Sequence, residues 1–151
     1  MIHIALYQPQ IPPNTGNIAR QCVGMNAPLH LIGPIAFDLS EQAVKRSGLD
    51  YWPNLKLTMH PSPEDFLKWL DTRRVWLVSK HGKLRYDRAP YADGDVLLFG
   101  NETAGLPQEW RDRWPERMIH IPMPGAVRSY NLSNAVALVA AQAYSTAKLW
   151  E

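Results

Sequence analysis

The chain has 151 residues, 46% of them hydrophobic and 20% charged, with a formal net charge of +2. These values predict one globular domain over residues 1–151, and the weak positive charge is compatible with a nucleic-acid partner without indicating one. The only cysteine, Cys22, excludes an internal disulfide, and the longest apolar-leaning segment, residues 135–143, is too short to span a bilayer. With no signal peptide visible at its start, the protein is predicted to be cytoplasmic, without a membrane partner.

Hydrophobic periodicity predicts alternating strands and helices. Strands show alternation or short continuous apolar runs, and helices show apolar residues three to four positions apart. In chain order, the predicted elements are a strand at residues 2–7, a helix at 15–25, a strand at 29–32, a weaker helix at 40–46, a helix at 63–70, strands at 75–78, 96–99 and 118–121, and a helix at 132–148.

Local signals mark several of these boundaries. Asn14 offers a side-chain cap for the first helix, and Ser62 followed by Pro63 and an acidic turn begins the third. Val75–Val78 and Val96–Phe99 are apolar throughout, as expected for strands that a parallel sheet buries on both faces. The sequence therefore predicts an α/β fold with a mostly parallel central sheet.

Three loops rich in Gly, Pro and Asn follow predicted strands, at residues 8–17, 100–107 and 122–131. Ligands of parallel sheets bind outside the carboxyl ends of the strands, where these loops should meet. The middle loop, GNETAGLP, has the glycine spacing of a phosphate-binding P-loop. Leu106 and Pro107 stand where a P-loop needs Lys and Ser or Thr, so a nucleoside triphosphate is excluded as its ligand.

The same loops carry a family resemblance. NTGNIAR, LLFGNETAGLP and IPMPGAVRSYNLSNAVA resemble the three motifs of SPOUT RNA methyltransferases, in the same order. LYQPQIPPNTGNIAR and RSGLDYW extend the resemblance to the single-domain enzymes that methylate the ribose 2′-hydroxyl of the tRNA wobble nucleotide, cytidine or uridine 34. The resemblance implies tRNA-Leu isoacceptors as substrates, a C-terminal trefoil knot, S-adenosylmethionine (AdoMet) as methyl donor, and a homodimer with the active site at the subunit interface.

The resemblance also implies roles for individual residues. Arg20 and Asn17 would act on the RNA and Glu102 would hold Arg20 or Asn14. Because a guanidinium hardly ever loses its proton, we expect Arg20 to clamp a phosphate or the developing alkoxide rather than act as a base. The residues implied for the cofactor are Val78, Gly100, Ile121 and Ser129. No metal is predicted, because the five histidines lack the spacing of metal ligands.

Simpler interpretations stand beside these. Val78 and Ile121 could be plain core residues, and Asn131 or Ser133 could be helix caps. The RNA surface is predicted at Lys45, Arg46 and Arg128, which could equally be solvated charges. Two alternative functions remain. One is methylation of another tRNA position or of ribosomal RNA, and the other is a non-catalytic RNA- or AdoMet-binding module.

The final helix favours a dimer, since Val136, Leu138 and Val139 are spread too widely around the helix for one sheet face to cover.

Overall fold

A computed structural model describes residues 1–39 and 52–151. The described residues form seven strands and four α-helices. The strands are β1 His3–Tyr7, β2 Leu29–Ile32, β3 Leu57–His60, β4 Val75–Val78, β5 Leu84–Arg85, β6 Val96–Phe99 and β7 Met118–His120. The helices are α1 Pro12–Met25, α2 Pro63–Leu70, α3 Gln108–Arg113 and α4 Leu132–Thr146, with short 3-10 turns at Trp52–Asn54, Tyr86–Arg88 and Pro115–Arg117.

All seven strands belong to one sheet, in the order β3-β2-β1-β6-β4-β7-β5, and every neighbouring pair is parallel. The α/β prediction with a mostly parallel sheet is therefore confirmed. Because all strands run the same way, the carboxyl ends of β1, β6, β4 and β7 lie side by side at one edge of the sheet. The loops that follow these four strands must meet there.

Helices cover both faces of the sheet, and this explains the continuous apolar strands. Along β6, Leu97 and Phe99 face the core that contains α1 and α4. Val96 and Leu98 face the opposite core, which contains α2 and α3. Successive side chains of a strand point to opposite faces, so a strand between two helical layers must be apolar at every position.

The helix boundaries confirm some of the predicted signals and correct others. Ser62 caps α2, its Oγ accepting a hydrogen bond from the backbone N–H of Asp65 at 3.1 Å. The prediction that Asn14 caps the first helix is wrong: α1 begins at Pro12, after Ile11, and the side chain of Ile11 makes no capping bond. The final helix ends at Thr146 instead of residue 148.

Two strands were not predicted, and one predicted helix lies outside the described residues. In β3, Thr58 and Met59 are exposed, so this edge strand lacks the apolar pattern of its neighbours. The two-residue strand β5 is too short to show any periodicity. The predicted helix at residues 40–46, with Lys45 and Arg46, falls within the part of the chain that the structure does not describe.

Three histidines form a hydrogen-bonded chain across β1, β2 and β3. His3 Nδ1 lies 3.0 Å from His30 Nε2, and His30 Nδ1 lies 2.9 Å from His60 Nε2. The indole of Trp69 packs over His30, with the ring centres 4.1 Å apart. His30 is 2% exposed, so it is a core residue.

The histidine chain should make the fold sensitive to acid. Burial, together with nearby positive charge, lowers the pKa of His30 from 6.5 to about 3. Between these values the unfolded chain binds a proton that the folded chain does not, so stability falls as the pH drops from 6.5 towards 3. From pH 7 to pH 5 the expected loss in the free energy of unfolding is on the order of 2 kcal/mol. Urea titrations at both pH values measure it.

The matched variants are His30→Gln and His81→Ala. Glutamine keeps hydrogen-bonding capacity without titrating, so His30→Gln should be less stable at pH 7 but should lose less stability on acidification. His81 is exposed. The free energy of unfolding of His81→Ala should therefore depend on pH in the same way as that of the wild-type protein. Equal pH dependence in the wild-type protein and His30→Gln would show that His30 does not cause the acid sensitivity.

Candidate functional site

A cavity of about 850 Å³ lies at the carboxyl ends of the central strands. Four segments surround it: the start of α1, the loop after β4, the loop after β6, and the long loop between β7 and α4. The lining residues are Ile11, Asn14, Val78, Ser79, Lys80, His81, Phe99, Gly100, Asn101, Glu102, Thr103, Ala104, Gly105, Leu106, Arg111, His120, Ile121, Pro122, Met123, Val127, Arg128, Ser129, Tyr130, Asn131, Leu132 and Ala135. The three loops predicted from the sequence all contribute.

The loop after β6 turns back tightly on itself. Asn101 pairs with Gly105 in an isolated antiparallel bridge, and Asn101 Oδ1 accepts hydrogen bonds from the backbone N–H groups of Thr103 and Ala104 at 3.1 and 2.7 Å. Gly105 has a φ of +70°, a left-handed conformation that disfavours other residues. A Cβ on Gly100 would lie 2.3 Å from the carbonyl carbon of Gly105. Both glycines are therefore required to close the loop.

The carboxylate of Glu102 caps helix α1 from this loop. Its Oε1 accepts a hydrogen bond from the backbone N–H of Gln10 at 3.0 Å, and its Oε2 accepts one from the backbone N–H of Ile11 at 2.8 Å. Asn14 Nδ2 also donates to Oε2, at 3.3 Å. The carboxylate compensates for the missing side-chain cap of α1 and lies where the helix dipole favours negative charge.

Asn14 links this cap to the third loop. Asn131 Nδ2 donates to Asn14 Oδ1 at 3.0 Å, while Asn131 Oδ1 accepts from the backbone N–H and the hydroxyl of Ser133, at 2.9 and 2.6 Å. Asn131 is thus the N-cap of α4, and it also joins two loops. Asn14 and Ser133 are buried, so the chain from Glu102 to Ser133 fixes all three loops relative to one another.

The cavity combines apolar walls with a positive rim. Three of the four charged side chains that line it are basic, Lys80, Arg111 and Arg128. The fourth is Glu102, whose oxygens are engaged at α1. An anionic group approaching the rim therefore meets mainly positive charge.

The structure places the predicted site residues in two groups. Those that line the cavity are Val78, Gly100, Glu102, Ile121, Arg128 and Ser129. Asn17 and Arg20 do not line it; both lie on the exposed side of α1. Of the two partners expected for Glu102, the structure shows a hydrogen bond to Asn14. The roles of all these residues stay predictions.

Sequence reasoning missed two features of this site, the bond between Asn14 and Asn131 and the contribution of Arg111. Asn14 was interpreted as a cap and as a possible partner of Glu102, and Asn131 as a possible cap, but their connection of two loops was not predicted. Arg111 comes from α3, where its spacing from Gln108 indicates only a surface helix. The sequence did offer one indication that these two asparagines belong to the site, since both lie inside the motif segments. A link between residues 117 positions apart in the sequence cannot be predicted from local patterns.

Residues 1–39 and 52–151 contain neither a metal-binding cluster nor a membrane-spanning helix. Within these ranges no group of three or more His, Cys, Asp or Glu side chains could hold a metal ion. No helix there is long and apolar enough to cross a membrane.

The model of the SpoU rRNA Methylase family matches residues 1–141. The chain belongs to the SpoU methylase family. This confirms the resemblance to SPOUT RNA methyltransferases. A relative from Aeromonas hydrophila, a tRNA (cytidine(34)-2'-O)-methyltransferase, is 44% identical over 139 residues, which cover 91% of this chain and 89% of the relative.

Solved structures of SPOUT methyltransferases share the fold. One, from work on 2-OH methylation of C/U34 on tRNA, has a TM-score of 0.92 and 46% identity, covering 97% of this chain and 95% of its own. The AdoMet-bound rRNA methyltransferase of Sinorhizobium meliloti has a TM-score of 0.87 and 27% identity, covering 95% of this chain and 56% of its own. The family methyltransferase fold thus spans nearly the whole chain.

Proposed function

We propose that this protein transfers a methyl group from AdoMet to the ribose 2′-hydroxyl of cytidine or uridine 34 in tRNA. The observation that carries the proposal is the bonded chain Glu102–Asn14–Asn131, which fixes three motif loops around one positively rimmed cavity. The activity of the Aeromonas relative supports the choice of reaction and nucleotide. Within this proposal, tRNA-Leu isoacceptors are the substrates, and a tRNA substrate agrees with the predicted cytoplasmic location.

The cavity walls fit AdoMet. Val78, Leu106 and Ile121 supply apolar surface for an adenine ring, and Ser129 supplies a hydroxyl at the rim. In the same wall, the buried Nδ1 of His120 has no hydrogen-bond partner within the described residues. AdoMet, when bound, supplies a methyl group activated by a positively charged sulfur. The protein must then align the hydroxyl with the methyl group, and alignment alone can contribute about 7–11 kcal/mol.

The reacting hydroxyl must be held while it loses its proton. As the ribose 2′-oxygen bonds to the methyl carbon, the bond from that carbon to sulfur breaks and the hydroxyl proton passes to water. A guanidinium is a poor base, so Arg20 would clamp the adjoining phosphate, with Asn17 beside it. Glu102 would act indirectly, by holding the start of the helix that carries both residues.

The proposed enzyme is a homodimer with shared sites. In α4, Val136 and Val139 are fully buried within one subunit, whereas Leu138 is 41% exposed and lies on the other side of the helix. Ile11, at the start of α1, is also exposed. A two-fold axis would cover such exposed apolar side chains with a second copy of the same surface. The trefoil knot that the family implies stays a prediction.

Mapping the product on defined RNAs tests this function. Purified protein with AdoMet should methylate tRNA-Leu transcripts at position 34 when that nucleotide is cytidine or uridine, and mass spectrometry of nuclease fragments should place the methyl on the ribose. Replacing cytidine 34 by 2′-deoxycytidine is the matched control, since it removes only the accepting hydroxyl. Methylation at another position, or of ribosomal RNA alone, would favour the alternative substrates. AdoMet and RNA binding without any transfer would favour the non-catalytic module.

A further inference from the structure

Tyr130 lies at the mouth of the cavity with its ring open to solvent. The side chain is 40% exposed, lines the cavity, and belongs to the loop that supplies Ser129 and Asn131. Its neighbours at the rim include Val127, which is also exposed, and the cation Arg128. An aromatic ring and a guanidinium on one loop are a combination that proteins use to bind unstacked bases of single-stranded RNA.

Other aromatic rings of the cavity are less suited to this task. Phe99 is part of the sheet core and is 2% exposed. His120 lies on β7 with its Nδ1 buried. His81 is exposed, but it presents a smaller ring. Among the described residues that line the cavity, Tyr130 is the one that offers a large uncharged ring to solvent.

The backbone at Tyr130 is held in place by its neighbour. Asn131 caps α4 and donates a hydrogen bond to the buried Asn14, so the residue that follows Tyr130 is anchored to both α4 and α1. A ring next to this anchor can receive a base without first ordering a loop. Pre-ordering of this kind lowers the entropy that binding costs.

We infer that Tyr130 is the platform on which the base of the target nucleotide stacks while its ribose enters the cavity. The inference rests on the proposed function, because it places the methylated nucleotide at this site. A wobble nucleotide lies in a single-stranded loop, so its base can leave the stack at small cost. Stacking accepts either pyrimidine, since both have a π face, and Arg128, two residues before Tyr130 on the same loop, can bind the adjacent phosphate.

Three substitutions of Tyr130 test the inference on an anticodon stem-loop RNA. Stacking on an aromatic side chain contributes about 1–3 kcal/mol per base, so Tyr130→Ala should lower kcat/KM for the RNA by about 5- to 150-fold. Tyr130→Phe keeps the ring and should retain wild-type kcat/KM. Tyr130→Leu keeps apolar bulk without the ring and should lose as much as Tyr130→Ala. AdoMet affinity, measured by calorimetry, should be the same in all four proteins.

A fluorescent cytidine analogue at position 34 reports stacking directly. Its emission should fall when the RNA binds wild-type protein or Tyr130→Phe, and it should fall less with Tyr130→Ala under saturating protein. Wild-type efficiency in Tyr130→Leu, or equal quenching by Tyr130→Ala, would overturn the inference while the wild-type protein still methylates position 34. Failure of the wild-type protein to methylate this RNA would instead refute the proposed function.

Discussion

Replacing Gly100 by alanine should abolish AdoMet binding and methyl transfer. The new Cβ would lie 2.3 Å from the carbonyl carbon of Gly105, 2.5 Å from its Cα and 2.6 Å from the nitrogen of Leu106. All three are backbone atoms, so no side-chain rotation relieves the clash, and the loop must open. Opening breaks the Asn101–Gly105 bridge and moves Glu102 away from α1. Since a displacement of about 1 Å can cost 100-fold in rate, we expect a loss of at least about 100-fold in kcat/KM.

Gly125→Ala provides the matched control. Gly125 lies in the loop between β7 and α4, and a Cβ there would meet nothing within 4 Å. This variant should bind AdoMet and methylate RNA like the wild-type protein, whereas Gly100→Ala should show no heat of AdoMet binding. Circular dichroism should give the same helix content for both variants, because the clash is confined to one loop. Normal AdoMet binding by Gly100→Ala would show that the closed loop is not needed for the cofactor.

The sheet could be predicted from the sequence because its signals are local. A strand covered by helices on both faces must be apolar at successive positions, as Val96–Phe99 is. A helix that begins with its own cap carries the signal next to its first turn, as Ser62 does for α2. The edge strand β3 could not be predicted in this way, because Thr58 and Met59 face solvent and interrupt the apolar pattern.

The features that could not be predicted from the sequence depend on contacts between residues far apart in the chain. The cap of α1 comes from Glu102, 91 residues beyond Ile11. The residues before α1 therefore carry no capping signal. The same applies to the histidine chain, whose members come from three strands that become neighbours only in the sheet. The motif resemblance identified the loops, whereas their mutual hydrogen bonds required the structure.

Mixing Arg20→Ala subunits with Gly100→Ala subunits should restore methyl transfer. Arg20 lies six residues beyond Asn14, about 9 Å further along the helix axis, and it does not line the cavity of its own subunit. In the proposed dimer it reaches the cavity of the partner. Arg20→Ala and Gly100→Ala homodimers should each be inactive. A heterodimer of the two would combine the intact loops of the first subunit with the intact Arg20 of the second, giving one working site and one with both defects.

After exchange at equal concentrations, half of the dimers are mixed and each has one working site. Methyl transfer should therefore return to about a quarter of the wild-type rate per subunit. Arg20→Ala mixed with Asn17→Ala is the control and should stay inactive, because both residues lie on α1 and every site would then contain a damaged α1. Subunit exchange is verified by native mass spectrometry. If exchange is complete and the first mixture has no activity, Arg20 acts within its own subunit and the shared-site proposal is wrong.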